Sequence, residues 1–181
     1  MPSFGVIVAI MNNGKILLTK REDFEVWCLL GGGVEDGESL AKAAIREAKE
    51  ETGLDVELTG LVGIYSRVGN VSRGHMVLFA AQPIGGEIEC QSGETIAVEW
   101  FASGEIPSLL SPGHKRRIAD AMEGVRGTVV AQDIHSPQLP DKITGRQLYE
   151  LRDQSGLSRQ EFYIQMMENA EIKEVVEVDG Q

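Results

Sequence analysis

Apolar positions along the first hundred residues come in short runs bounded by glycine, asparagine and charge. Phe4–Met11 and Lys15–Thr19 flank Asn12-Asn13-Gly14, which predicts a β-hairpin whose turn type three such residues leave open. Val26–Leu30 reads as a third strand, stopped by Gly31-Gly32-Gly33. Glycines and acidic residues then fill the loop up to Ser39, where a helix begins. On it Leu40, Ala41, Ala44, Ile45 and Ala48 form an apolar stripe, and the small alanines predict close packing against a sheet. Ser39 is placed to cap this helix, with Asp36 and Glu38 at its positive end. Further strands follow over Val56–Ser66, interrupted by Gly60 and Gly63, and over Met76–Gln82, Glu87–Cys90 and Ile96–Phe101. Pro112–Gly124 has the pattern of a second helix. Strands and helices mix without strict alternation, which favours an α+β sandwich with a mixed sheet over a doubly wound one.

Beyond about Thr128 the pattern changes. Ser136–Pro140 reads as a linker, and the end from Ile172 to Gln181 is acidic and expected to fray. Thr144-x-x-Gln147 and Ser158-x-x-Glu161 each fit a capping box. Two short amphipathic helices are therefore predicted, carrying Leu148, Tyr149 and Leu151, then Phe162, Tyr163, Met166 and Met167. The chain divides into a domain over 1–128 and a helical extension over 129–181. The predicted helix pair packs on the domain, covers an active site or forms a homodimer interface. Leu148–Phe162 faintly resembles the first half of a helix-turn-helix, but no basic recognition helix follows.

The chemistry concentrates on the first helix. Glu47, Glu50 and Glu51 project from one side of it, since helical residues advance about 100° each. Three carboxylates on one side repel each other unless a cation sits among them. Oxygen donors without histidine or cysteine favour Mg²⁺ or Mn²⁺ over zinc, which points to a divalent-metal enzyme acting on phosphates. The competing reading is a solvated acidic face balanced by Lys42, Arg46 and Lys49.

The spacing decides between them. Gly32, five residues, Glu38, seven residues and then Arg46-Glu47-Ala48-Lys49-Glu50-Glu51-Thr52-Gly53-Leu54 resembles the Nudix box, with every charged and glycine position filled. Ala48 departs from it where a larger aliphatic residue is usual, and Leu30 stands where proline often precedes the glycines. The resemblance implies a mixed sheet between helices, with the box as loop-helix-loop. It implies hydrolysis of a nucleoside diphosphate linked to another moiety by metal-activated water, with Glu47, Glu50 and Glu51 as metal ligands. Arg46 would hold a glutamate in place. Glu38 would assist a metal or close the loop onto the helix. Gly32 and Gly33 would allow a sharp turn and bring a carbonyl towards a metal. A general base is expected on the box or at Glu94, ahead of the Ile96 strand, with an ordinary surface carboxylate as the alternative. Glu99 alternates with Trp100 and points the other way. Arg21 and Trp27 occupy positions where related proteins touch substrate, Arg21 on a phosphate or in solvent, Trp27 on a base or in the core. Tyr65 lies too close to the box to match the tyrosine that selects diadenosine polyphosphates. His75, His114 and His135 show no metal-ligand spacing.

Charge narrows the partners. A net charge of −11 over 181 residues argues against binding nucleic acid or anionic membrane, though not against a small nucleotide whose charge a bound cation offsets. The apolar run Phe4–Ile10 is too short to span a bilayer. Two cysteines, Cys28 and Cys90, make no disulfide framework, so a cytoplasmic setting is expected.

Overall fold

The computed structural model describes residues 4–71, 73–90 and 93–181. Strand β1 (Phe4–Asn12) turns through Asn13-Gly14 into β2 (Lys15–Arg21). Asn12 belongs to the strand, and both turn residues have positive φ (49° and 75°), which suits an Asn-Gly pair in a two-residue hairpin. β1 is buried on both faces. Val6, Val8 and Ile10 join one apolar cluster, while Ile7 and Ala9 join the other, as the period of two requires of a central strand.

The glycines do not stop the third strand as expected. After β3 (Trp27–Cys28), residues Leu30–Gly33 form β4, antiparallel to β1 with Gly31 opposite Ile7. A Cβ on Gly31 would lie 2.1 Å from the Val6 carbonyl oxygen, and its φ is 146°. Here glycine permits two strands to approach closely. Helix α1 (Leu40–Thr52) starts at Ser39, whose hydroxyl accepts the Lys42 N–H, and ends at Gly53 with φ 74°.

Strand β5 (Leu54–Arg67) pairs with β6 (Gly74–Gly86), with register shifts at Gly60 and Gly63. β6 lies parallel to β1. β7 (Thr95–Ala102) pairs with β2, and α2 (His114–Met122) covers the face opposite α1, placing Ile118 and Ala121 in the Ile7 cluster. Glu87–Cys90 is not a strand: β6 ends at Gly86, whose φ is 80°.

The C-terminal part joins the same architecture. β8 (Thr128–His135) lies parallel to β5, and β9 (Glu171–Val178) is antiparallel to β8 at the sheet edge. The acidic end is therefore a strand rather than a frayed tail, because β8 offers it an unpaired edge. Ser136–Pro140 is fastened rather than loose. The Asn70 amide donates to the Ser136 and Leu139 carbonyls at 2.9 and 3.0 Å, and accepts the Ser136 N–H at 2.8 Å. Both capping boxes form, at the starts of α3 (Gly145–Gln154) and α4 (Arg159–Met167). These helices pack over Phe24 and Val26, with Tyr163, Met166 and Leu139 completing a third apolar cluster. No helix among the described residues is long and apolar enough to cross a membrane.

Candidate active site

The buried stripe of α1 consists of Leu40, Ala43, Ala44 and Ala48, with Thr52 at its end; Ala41 and Ile45 face solvent. The stripe expected from the pattern is thereby corrected: Ala43 replaces Ala41 and Ile45 on the buried side. The physical reason lies in the carboxylates. Glu47 stands four residues after Ala43, and Glu51 seven after Ala44, so they continue the sheet-facing side rather than flank it. Apolar side chains opposite would expel two charged groups. The groups opposite are the β4 glycines: a Cβ on Gly32 would lie 2.5 Å from a Glu47 carboxylate oxygen. The Gly31 N–H donates to Glu51 at 2.9 Å. The glycine strand thus makes room for the acidic helix.

Arg46 organises the acidic end. Its guanidinium donates to both oxygens of Glu38 at 3.0 Å, to Glu47 at 2.8 Å, to Glu50 at 2.9 Å and to the Gly33 carbonyl at 3.0 Å. Glu38 also accepts the Glu35 N–H, closing the loop onto the helix. Its carboxyl is held below the usual range mainly by the Arg46 hydrogen bond. Glu47 is pushed up, chiefly by burial. Glu51 rises to about 7, first through burial and then through repulsion from Glu47 and Glu94, against the Gly31 hydrogen bond.

A divalent cation fits this donor chemistry: the oxygens are hard, and burial plus mutual repulsion makes further positive charge favourable. Among the described residues no three acidic, histidine or cysteine side chains are gathered as a ready chelate. Glu47 and Glu50 turn to Arg46, and Glu51 turns to Gly31.

Beside Glu51 lies a cleft of about 280 Å³. Gly32 and Gly33 line it, as do Glu94 and Arg21. Ser92, which heads the Glu94 stretch, lies outside the described residues. Trp27 does not line the cleft; half-buried, it packs against the core with its ring edge-on to Phe101 at 4.9 Å. Glu99 and Tyr65 are also absent from it. Tyr65 is fully buried and donates to Asp120 at 2.6 Å. Cys28 also lines the cleft, its thiol pushed up to about 11 by burial.

Two further residues line the cleft: Arg67, which nothing in the sequence marks, and His114, for which the sequence favours a solvated or structural role. His114 is buried, and its Nδ1 accepts the Leu29 N–H at 3.0 Å, which leaves Nε2–H as the ring's donor. Burial first, then the charges of Arg117, Arg67 and Arg21, hold the imidazole neutral. Arg67, at the end of β5, has a buried Nε with no hydrogen-bond partner among the described residues. Burial and the neighbouring charge of Arg21 lower its proton affinity. Arg21, by contrast, is paired with Asp23. No local motif marks Arg67 or His114; only folding brings them beside Glu51.

Residues 1–121 match the NUDIX domain family. The chain is 36% identical to a putative 8-oxo-dGTP diphosphatase of Bacillus subtilis (strain 168) over 132 residues, covering 72% of this chain and 83% of that one. It is 35% identical to an ADP-ribose pyrophosphatase of Methanocaldococcus jannaschii, covering 70% and 76%. The solved structure of an ADP-ribose pyrophosphatase from Streptococcus suis 89-1591 superimposes with a TM-score of 0.61 at 31% identity, over 68% of this chain and 92% of that one. A family match over most of the chain, carried by the helix and glycine strand just described, makes this protein a member of the Nudix hydrolase family, acting on pyrophosphate bonds.

Proposed function

We propose that the protein hydrolyses the pyrophosphate of a nucleoside diphosphate linked to another moiety, with Mg²⁺ (or Mn²⁺) held by Glu47, Glu50 and Glu51 and by a backbone carbonyl at Gly32. The observation that carries this reading is the polarity of the cleft. Glu51 and Glu94 line it together with Arg67, Arg21 and His114, so cation-binding and anion-binding groups share one cavity. A pyrophosphate needs both.

A bound cation neutralises phosphate charge and makes water a better nucleophile. The chain's own residues do the rest. Arg67 and the His114 Nε2–H receive phosphate oxygens, and Arg21 adds charge while tied to Asp23. Arg46 touches no substrate; it aims Glu47 and Glu50 and clamps the loop through Glu38. Glu94, whose backbone carbonyl is anchored by the Glu22 N–H at 2.8 Å, takes the proton from the attacking water. Water oxygen joins one phosphorus, the bridging P–O bond breaks, and a nucleoside monophosphate and a phosphorylated group leave. The names of the relatives, an 8-oxo-dGTP diphosphatase and ADP-ribose pyrophosphatases, support nucleoside triphosphates and ADP-ribose as first substrates to try. The acidic net charge supports a small nucleotide over a polynucleotide, and the free Cys28 and Cys90 support a cytoplasmic setting.

The test is Mg²⁺-dependent phosphate release, coupled to a phosphatase, over nucleoside triphosphates, dinucleotides, ADP-ribose and nucleotide sugars. Turnover of at least one, abolished by chelator, is expected. Turnover that persists in chelator, or that survives both Glu50→Gln and Glu51→Gln, would overturn the metal assignment.

A further inference from the structure

A second cavity of about 160 Å³ adjoins the cleft, and Arg21, Arg67 and Ser111 line both. Its far wall differs in chemistry. Phe24, Val71, Leu148, Tyr149, Tyr163 and Met166 surround it. Its charged groups, Arg21, Asp23 and Arg67, include the two arginines it shares with the cleft. Leu148, Tyr149, Tyr163 and Met166 come from α3 and α4, beyond the residues that match the family.

These helices are fixed to the cleft rim by specific contacts. Arg152 lies over the rings of Phe24 and Tyr149, at 5.8 and 5.0 Å from their centroids, and donates to the Asp23 carbonyl at 2.9 Å. The Tyr149 hydroxyl donates to Asp23, the residue that pairs Arg21, at 3.1 Å. Arg159 reaches the Glu22 carbonyl at 2.9 Å, and the Tyr163 hydroxyl reaches the Leu110 carbonyl at 2.6 Å.

We propose that this second compartment is the nucleobase subsite, and that the α3–α4 segment is therefore a specificity element of the enzyme. It rests on the reading of the cleft as a pyrophosphate site. The cleft alone falls just short of the usual range of small-molecule sites, roughly 300–1,000 Å³, and the two compartments together reach it. A phosphate chain beside Arg67 would carry its nucleoside past the shared wall into an aromatic and aliphatic enclosure. A planar base gains from such walls by apolar and ring contacts. A free sugar, which needs polar partners for its hydroxyls, would find few there.

Gly145 offers a clean test. It lines the second cavity, and a Cβ there meets nothing within 4 Å, so Gly145→Phe adds a ring at the cavity wall without crowding the backbone. Calorimetry with Mg²⁺ would measure ADP, UDP and inorganic pyrophosphate on the wild type, on Gly145→Phe and on a Gly145→Ala control. The expected result is at least tenfold weaker binding of the preferred nucleotide to Gly145→Phe. Pyrophosphate affinity stays within twofold, the melting temperature holds, and Gly145→Ala behaves as wild type. Three outcomes overturn the proposal: nucleotide affinity unchanged by Gly145→Phe, both ligands weakened equally, or a wild type that binds ADP and UDP no better than pyrophosphate. Failure of pyrophosphate itself to bind the wild type would instead overturn the reading of the cleft, and this inference with it.

Discussion

The acidic helix beside the cleft and the basic side of the cleft are built on opposite principles. Glu47, Glu50 and Glu51 sit within five residues of one helix, and a single arginine on the same helix satisfies much of their hydrogen bonding. Arg21, Arg67 and His114 come from β2, β5 and α2, and the buried Arg67 Nε has no hydrogen-bond partner among the described residues. One end is a local device whose geometry follows from helix periodicity; the other exists only because three distant segments meet. The lesson is energetic as well. A cation kept partly buried without an anionic partner costs stability, and the cost is recovered when an anion arrives.

The largest effect should come from the acidic end. Glu51→Gln keeps an acceptor for the Gly31 N–H but removes the charge; kcat is expected to fall by about 100- to 1,000-fold, with the metal-free fold at least as stable by thermal melting. A small loss in kcat would place the chemistry elsewhere on the helix. At the basic end, Arg67→Ala should lower kcat/KM by roughly 10- to 100-fold, the worth of a charge-assisted hydrogen bond. Its melting temperature without ligand should hold or rise, because a buried cation with no ion pair among the described residues is gone. A drop in melting temperature with kinetics intact would make Arg67 a structural residue and erase the contrast between the two ends.

Gly32→Ala sharpens the comparison from the side of the sheet. Its Cβ would strike the Glu47 carboxylate, so activity should fall about tenfold at a stability cost of roughly 1–3 kcal/mol. Equal activity would mean that Glu47 can leave its place freely. The smallest effect concerns pH. His114 resists protonation in the fold, whereas the unfolded chain takes up a proton near pH 6.5. Native stability should therefore decline as pH falls below about 6.5. His114→Gln should flatten the melting temperature between pH 7 and 5, by roughly 2–4 °C for each kcal/mol removed. An unchanged slope would assign the acid sensitivity to other groups.

Residues close in sequence explain what was legible. The box helix, its Ser39 cap, the two capping boxes at Thr144 and Ser158, and the Asn-Gly hairpin all rest on hydrogen bonds spanning a few residues, and a single chain displays them. The glycine run was read as a stop because a lone sequence does not show what passes beside it; with β1 alongside, the same glycines become a strand. Trp27 reads from the sequence as a substrate or core residue; what the sequence alone does not show is that its ring packs edge-on against Phe101, 74 residues away. The acidic C-terminus looked too polar to fold until β8 supplied an edge.

By itself, then, the amino-acid order determined the family, the α+β class and the carboxylate helix, since each depends on periodicity and fixed spacing along one segment. Only the tertiary structure decided that Glu47 and Glu51 face a glycine strand, that Arg67 and His114 join Glu51 in one cleft, and that α3 and α4 wall a second compartment. Those outcomes are set by which distant surfaces pack together, and burial, not sequence separation, determines the electrostatics of the groups they enclose.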